Sequence, residues 1–256
     1  MSVLVNDSGS VRVGCKMPDE VSGLFANFDT SLQTGYVDGN LVSSWTDLIA
    51  GNNLVQANSS KQLTYKTNQQ NGYPAFKSIN VFPDADNNFL VGSNSTLEAL
   101  WSGDITFFIV VFVPNTITAP VRLLSSGSFG NATKGFDLLI RPEGVFYEEL
   151  STGGVVWATP TRTINFGAIN LICVNIKRSG ASYIRTLNTP RTLVNSATPA
   201  YQLSTTSNLF LGISHNLASA PMPINTRYNQ LCIYNRSLAK DEDGAVFRGL
   251  KFKWGA

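Results

Sequence analysis

Glu143, Glu148 and Glu149 are the carboxylates of this chain placed nearest to a hydrolytic pair. Two carboxyl groups flanking a glycosidic bond can protonate the leaving group and activate water or attack directly. Glu148 and Glu149 are adjacent, so on a strand they face opposite sides and cannot share a substrate. A solvated face is the better reading of this group. His215 is the single histidine, and any Ser-His-Asp or Cys-His arrangement would have to use it. It follows an apolar run in Gly212-Ile213-Ser214-His215-Asn216, and no Gly-x-Ser-x-Gly occurs anywhere. Cys15, Cys173 and Cys232 are odd in number and far apart, and with one histidine they build no structural zinc site. Cys173 and Cys232 lie inside apolar strand patterns and read as free, buried thiols. No catalytic residue is expected, and the chain is expected not to be an enzyme.

Oxygen ligands for a hard cation gather in Pro83-Asp84-Ala85-Asp86-Asn87-Asn88. Asp84, Asp86 and Asn88 make calcium the candidate ion. The same letters make an ordinary Asx turn, and two carboxylates are few for a strong calcium site. No other cofactor is expected. Glycan binding needs exposed aromatic rings beside amides, and Trp157, Tyr147, Tyr183, Tyr228 and Asn229 are the candidates, with Tyr201 also eligible. Most aromatics of an all-β domain are core, and Trp45, Trp101 and Trp254 are assigned there.

These side chains need a scaffold. At 256 residues the chain suits one large all-β domain that can bury its own core. Charged residues are 14% and the net charge is +2, which gives no field suited to nucleic acid or an anionic membrane. The start, Met-Ser-Val-Leu-Val-Asn-Asp, lacks the basic and apolar regions of a secretion signal. The longest strongly apolar run, Phe107 to Val113, is too short to span a bilayer. Synthesis in a cytoplasm without a signal peptide is therefore expected.

Residues 1–22 stand apart. Val3, Val5, Val11 and Val13 alternate around the turn signal Asn6-Asp7-Ser8-Gly9. They form an arm that docks on a neighbour, a first strand pair of the main sheet, or a loose terminus. Residues 23–256 read as a dozen or so short strands separated by turns, the pattern of a two-sheet sandwich. Ile105 to Val113 is apolar throughout and suited to burial on both faces. Lys240 to Lys253 is the one longer helix, with Val246, Leu250 and Trp254 every four residues and acids ahead of bases. Gly244 and Gly249 weaken it by roughly 1 kcal/mol each relative to Ala.

Several landmarks fall in a recognisable order. Phe25-Ala26-Asn27-Phe28-Asp29 is followed by Val42-Ser43-Ser44-Trp45-Thr46-Asp47-Leu48 and Gly51-Asn52-Asn53. Then come Asn71-Gly72-Tyr73-Pro74-Ala75-Phe76, Asp86-Asn87-Asn88-Phe89-Leu90 and Gly103-Asp104-Ile105-Thr106-Phe107-Phe108. Leu231-Cys232-Ile233-Tyr234-Asn235-Arg236-Ser237-Leu238 and a helix close the set. The series resembles laminin G-like, concanavalin A-like jelly-roll domains over residues 23–255. The resemblance implies an all-β, two-sheet concanavalin A-like jelly-roll sandwich with a short C-terminal helix. One departure is Ala239 where the family places a capping Ser or Thr. Glucanases on such a jelly roll carry Glu-x-Asp-x-x-Glu, which is absent here.

Bacteriophage structural and tail proteins, bacterial surface proteins and secreted lectin-like modules use such domains. With the arm, the low charge and no secretion signal, the leading expectation is a non-enzymatic bacteriophage virion protein: a capsid decoration, fibre or tail-associated part. Its partners would be other virion proteins through residues 1–22, further copies of itself, and a host surface glycan. The alternative is a free carbohydrate-binding module, and a glycoside hydrolase ranks third.

Overall fold

The computed structural model describes residues 3–5, 11–79, 88–92, 95–114, 117, 119–128, 131–151, 154–159, 161–187, 189–194, 207–213 and 222–256. Strands β1 (Val3–Val5) and β2 (Val11–Val13) pair with each other in a separate two-stranded sheet. Next come β3 (Leu24–Asp29), β4 (Leu41–Val42), β5 (Ser44–Trp45), β6 (Leu54–Val55), β7 (Leu63–Gln70), β8 (Tyr73–Lys77) and β9 (Leu90–Gly92). A short helix α1 (Ser95–Ala99) precedes β10 (Ile105–Val113), β11 (Val121–Ser128), β12 (Asn131–Arg141), β13 (Gly144–Ser151) and β14 (Gly154–Ala158). The chain finishes with β15 (Ala168–Ile176), β16 (Ser182–Thr186), β17 (Thr189–Val194), β18 (Ser207–Leu211), β19 (Arg227–Tyr234) and α2 (Lys240–Trp254).

Two antiparallel sheets face each other. The first runs β17-β16-β15-β10-β19-β8-β7-β4, with β3 also on β19. The second runs β14-β13-β12-β11-β18-β9-β6-β5. At one side the chain steps from β4 to β5 through Ser43 alone, so both sheets end together there.

β10 shows why its sequence is apolar without alternation. Ile105, Phe107, Ile109, Val111 and Val113 enter the core between the sheets, against Phe136, Leu138 and Tyr147 from the second sheet. Phe108 and Val110 enter a second core on the outer face, where Cys173, Cys232, Val246, Phe247, Leu250 and Trp254 meet. The first sheet is thus a middle layer with α2 on its outer side. Cys173 and Cys232 both stand opposite Phe108, one on each flanking strand. Two strand spacings, about 9–10 Å, separate them, beyond the reach of a disulfide.

α2 is fastened by side chains at both ends. Trp254 Nε1 donates to Gln230 Oε1 at 2.8 Å, and Lys253 Nζ reaches Asp29 Oδ2 at 2.5 Å. Buried Asp243 lies between Arg185 at 3.6 Å and Arg191 at 3.4 Å and accepts from the Tyr183 hydroxyl. Ala239 supplies no side-chain cap, but its own N–H donates to Glu242 Oε2 at 2.9 Å, and Arg236 grips the same carboxylate at 2.8 Å. That Glu is the reciprocal half of a capping box, and it secures the helix entry without a Ser or Thr.

Residues 14–21 of the expected arm lie along this helix. Lys16 N donates to Ala245 O at 3.1 Å, Arg248 Nη2 donates to Gly14 O at 2.7 Å, and Cys15 and Val21 are buried. A Cβ on Gly249 would sit 2.0 Å from Lys16 O. The glycine that weakens the helix is the one that lets the N-terminal strap cross it.

Candidate functional site

The two sheets differ in what covers their outer faces. The first is sealed by α2. On the outer face of the second sheet Ser125, Asp137, Leu139, Phe146 and Phe210 are buried as well. Register places its residues. Ser125 of β11 stands opposite Asp137 of β12, Arg122 opposite Leu139, and Asp137 opposite Glu148 of β13. Leu139 opposes Phe146, and Ser125 opposes Phe210 of β18 on its other side. Directly opposed residues share a face. The alternate positions Phe136, Leu138, Ile140 and Tyr147 fill the core instead.

A charged group thus sits on β11–β13. Arg122 Nε donates to Asp137 Oδ2 at 2.6 Å. Asp137 is wholly buried, and burial pushes its carboxyl up to about 7, with Glu148 adding to the rise and Arg122 opposing it. Burial also raises the Glu148 carboxyl, against the pull of Arg122 and Arg141. The Arg141 guanidinium lies over the Phe146 ring, 4.5 Å from its centre, and is 40% exposed. Beside the charges is a small apolar group: Phe89, Phe210 and Ile213, with Val91 against them. Ser125 Oγ donates to Ile213 O at 3.0 Å and ties the two parts together. Of these groups Arg122 and Arg141 keep 22% and 40% of their side chains exposed, whereas Asp137, Glu148, Phe210 and Ile213 are buried.

The sequence matches no family model and no curated protein. Among solved structures the chain is similar to a Trypanosoma rangeli sialidase in complex with 2,3-difluorosialic acid. The TM-score is 0.60 at 15% identity, over 92% of this chain and 34% of that one. It is also similar to the Ruminococcus gnavus IT-sialidase CBM40 bound to alpha2,6 sialyllactose. There the TM-score is 0.49 at 19% identity, over 60% of this chain and 89% of that one. The chain spans about a third of the length of the sialidases it matches. At such identities the likeness is one of fold. The chain is an all-β jelly-roll sandwich, related to the concanavalin A-like folds. The expected bacteriophage origin takes no support from these neighbours.

On this jelly roll most of the expected glycan-binding residues are framework. Tyr147 is wholly buried in the core, 5.4 Å from Phe136 ring to ring, and its hydroxyl donates to Glu149 Oε1 at 2.8 Å. Tyr183 is buried under α2 as the donor to Asp243. Tyr228 is buried between the sheets, its hydroxyl against Gly212. Asn229 is buried at the bulge of β19 against β10, where the Thr30 hydroxyl donates to its carbonyl at 2.9 Å. Register and bulge put all four inside, so none offers an exposed ring or amide to a sugar. Trp157 occupies β14 opposite Glu149; only its backbone is described.

Asn88 is buried too. Its Oδ1 accepts from Ile79 N at 2.7 Å and its Nδ2 donates to Gln62 O at 2.6 Å, so the amide braces backbone and is not a free cation ligand. Asp84, Asp86, Tyr201 and His215 lie outside the described residues. Glu143 is exposed at a turn beside Arg141. Glu149 points inward to Arg178 at 2.6 Å, and Glu148 lies on the outer face, the separation that their adjacency predicts. Sequence reasoning missed the Arg122–Asp137–Glu148 group. The available signal was the hairpin turn at Arg141-Pro142-Glu143-Gly144, from which counting back pairs Asp137 with Glu148.

Proposed function

We propose that the chain is a non-enzymatic carbohydrate-binding module whose ligand rests on the outer face of β11, β12 and β13. The observation that carries this reading is the Arg122–Asp137–Glu148 group, joined across β11–β13 on the outer side of the second sheet, with Arg122 and Arg141 partly exposed at its rim. Carboxylates accept from sugar hydroxyls and guanidinium groups donate to them, in fixed directions. Arg141 and Arg122, with 40% and 22% of their side chains exposed, provide the donors, and Glu148, largely buried beside them, is the acceptor that a ligand would have to reach. Turnover is not proposed, because within this group buried Asp137 is bonded to Arg122 and Glu149 faces the core, which leaves Glu148 without a paired carboxylate on its face among these residues. A glycan array tests the reading, with Arg122→Ala and Glu148→Gln expected to lose the signal that the unaltered chain gives. An array without any specific signal removes it.

A second reading, a virion component anchored by its N-terminal segment, is supported by the β1–β2 hairpin, which pairs with no other described strand. Here residues 14–21 are part of the domain and the hairpin is the anchor. Deleting residues 1–13 would leave the domain folded and abolish incorporation into particles. A truncated chain that still assembles ends this reading.

A further inference from the structure

A row of side chains crosses the outer face of the first sheet from strand to strand. Register sets Phe112 of β10 opposite Arg227 of β19, Arg227 opposite Lys77 of β8, and Lys77 opposite Thr64 of β7. Directly opposed residues share a face. The adjacent residues Tyr65, Phe76 and Tyr228 turn into the core between the sheets, so the row points outward. α2 covers Phe108 and Val110 on this sheet, whereas Phe112, Arg227 and Lys77 stay partly exposed.

The row holds two cations and no acid. Like charges directly opposite each other destabilise a sheet. The Arg227 guanidinium lies over the Phe112 ring, 3.7 Å from its centre, and its Nη1 donates to Gln69 O at 3.1 Å. Its Nε–Nη2 edge makes no bond among the described residues. Burial lowers the guanidinium from its ordinary value, and no carboxylate raises it. Lys77 has no ion pair among the described residues, and the buried Thr64 hydroxyl beside it has no hydrogen-bond partner. The acids on this side of the sheet hold other cations: Asp38 bonds Lys66 at 2.7 Å, and Asp29 bonds Lys253 at 2.5 Å.

We propose that this row binds an oxyanion, the carboxylate, sulfate or phosphate group of a ligand, on the side of the sandwich opposite the glycan face. Stacking on Phe112 fixes the plane of the guanidinium and leaves its Nε–Nη2 edge to donate two parallel hydrogen bonds. Lys77 adds a point charge from the next strand, its Cβ about 4.5–5.5 Å from that of Arg227. Thr64 adds a neutral donor beside Lys77. An anion between Arg227 and Lys77 turns their repulsion into two attractions. Nothing in this site depends on β11–β13.

Amide NMR of the full chain tests the site, with sodium sulfate, sodium phosphate and sodium glucuronate each titrated against chloride at constant ionic strength. Saturating shifts should appear at Thr64, Lys77, Phe112 and Arg227. Lys77→Gln, which breaks no ion pair, should weaken binding about threefold or more, and Arg227→Gln should abolish it. The bound anion should also raise the melting temperature of the unaltered chain more than that of Lys77→Gln. Tightest binding of glucuronate assigns the ligand's group as a carboxylate, and tightest binding of sulfate or phosphate assigns a tetrahedral oxyanion. Shifts that do not saturate, or that Lys77→Gln leaves unchanged, mean an adventitious ion only and overturn the proposal. If Arg227→Gln does not fold, Lys77→Gln decides. Arg122→Ala should bind these anions as the unaltered chain does, so failure of the glycan face and failure of this site are read separately.

Discussion

Asp137 and Glu148 face each other across the β12–β13 ladder, with Arg122 bonded to Asp137 from the next strand at 2.6 Å. Eleven positions separate them in the chain, and neither belongs to a recognisable motif. They meet because the hairpin turn at residues 141–144 sets the register. A polar group assembled in this way needs a rigid base, and the aromatic core beneath β12 and β13 provides it: Phe136 stacks on Trp101 at 4.4 Å, and Tyr147 lies beside it.

Stability should vary with pH through Asp137. Its folded carboxyl is raised from 3.8 to about 7, so between those values the folded chain binds a proton that the unfolded chain lacks. The favourable contribution is complete below the unfolded value and is lost as pH rises through about 7. Relative to Asp137→Asn, the unaltered chain should lose on the order of 2–4 kcal/mol between about pH 4 and about pH 8. Urea unfolding of both chains across that range measures it. A difference between them that does not change with pH would contradict the assignment.

Gly249→Ala should destabilise the protein. Helix propensity alone favours Ala by about 1 kcal/mol. The new Cβ would lie 2.0 Å from Lys16 O, so either the strap or the helix must shift. A clash with backbone outweighs the propensity gain, and a net loss of about 2 kcal/mol or more is expected. Thermal unfolding decides the sign, and a raised melting temperature would mean that the strap does not cross there.

Removing the charge of Asp243 should loosen α2. Asp243→Ala leaves Arg185, Arg191 and the Tyr183 hydroxyl without their buried acceptor. Breaking a buried ion pair by deleting one partner costs roughly 3–5 kcal/mol. Faster hydrogen exchange should appear first in α2, β16 and β17. Unchanged exchange in these elements would show that the apolar contacts of Val246, Leu250 and Trp254 hold the helix unaided.

The legible part of the sequence was the part written in local periodicity. The run from Ile105 to Val113 and the helix from Lys240 follow from spacing alone, and both lie where expected. Trp45, Trp101 and Trp254 are core, as assigned. What local patterns do not carry is which neighbour covers a polar ring. Tyr147 and Tyr183 look available in sequence, but Glu149 with Arg178, and Asp243 with two arginines, take up their hydroxyl surroundings inside the fold. Asn229 is hidden by a bulge that no local pattern announces. Likewise Gly249 reads as a flaw until a strand-distant segment, Lys16, is found crossing it.

The central claim, a glycan face on β11–β13, is tested most directly by mapping backbone amide shifts on adding the strongest array glycan. The account predicts changes concentrated at Arg122, Ser125, Asp137, Arg141 and Glu148, and lost in Arg122→Ala. Changes confined to α2 and the outer face of β15 and β16, or shifts that persist undiminished in Arg122→Ala, would contradict it.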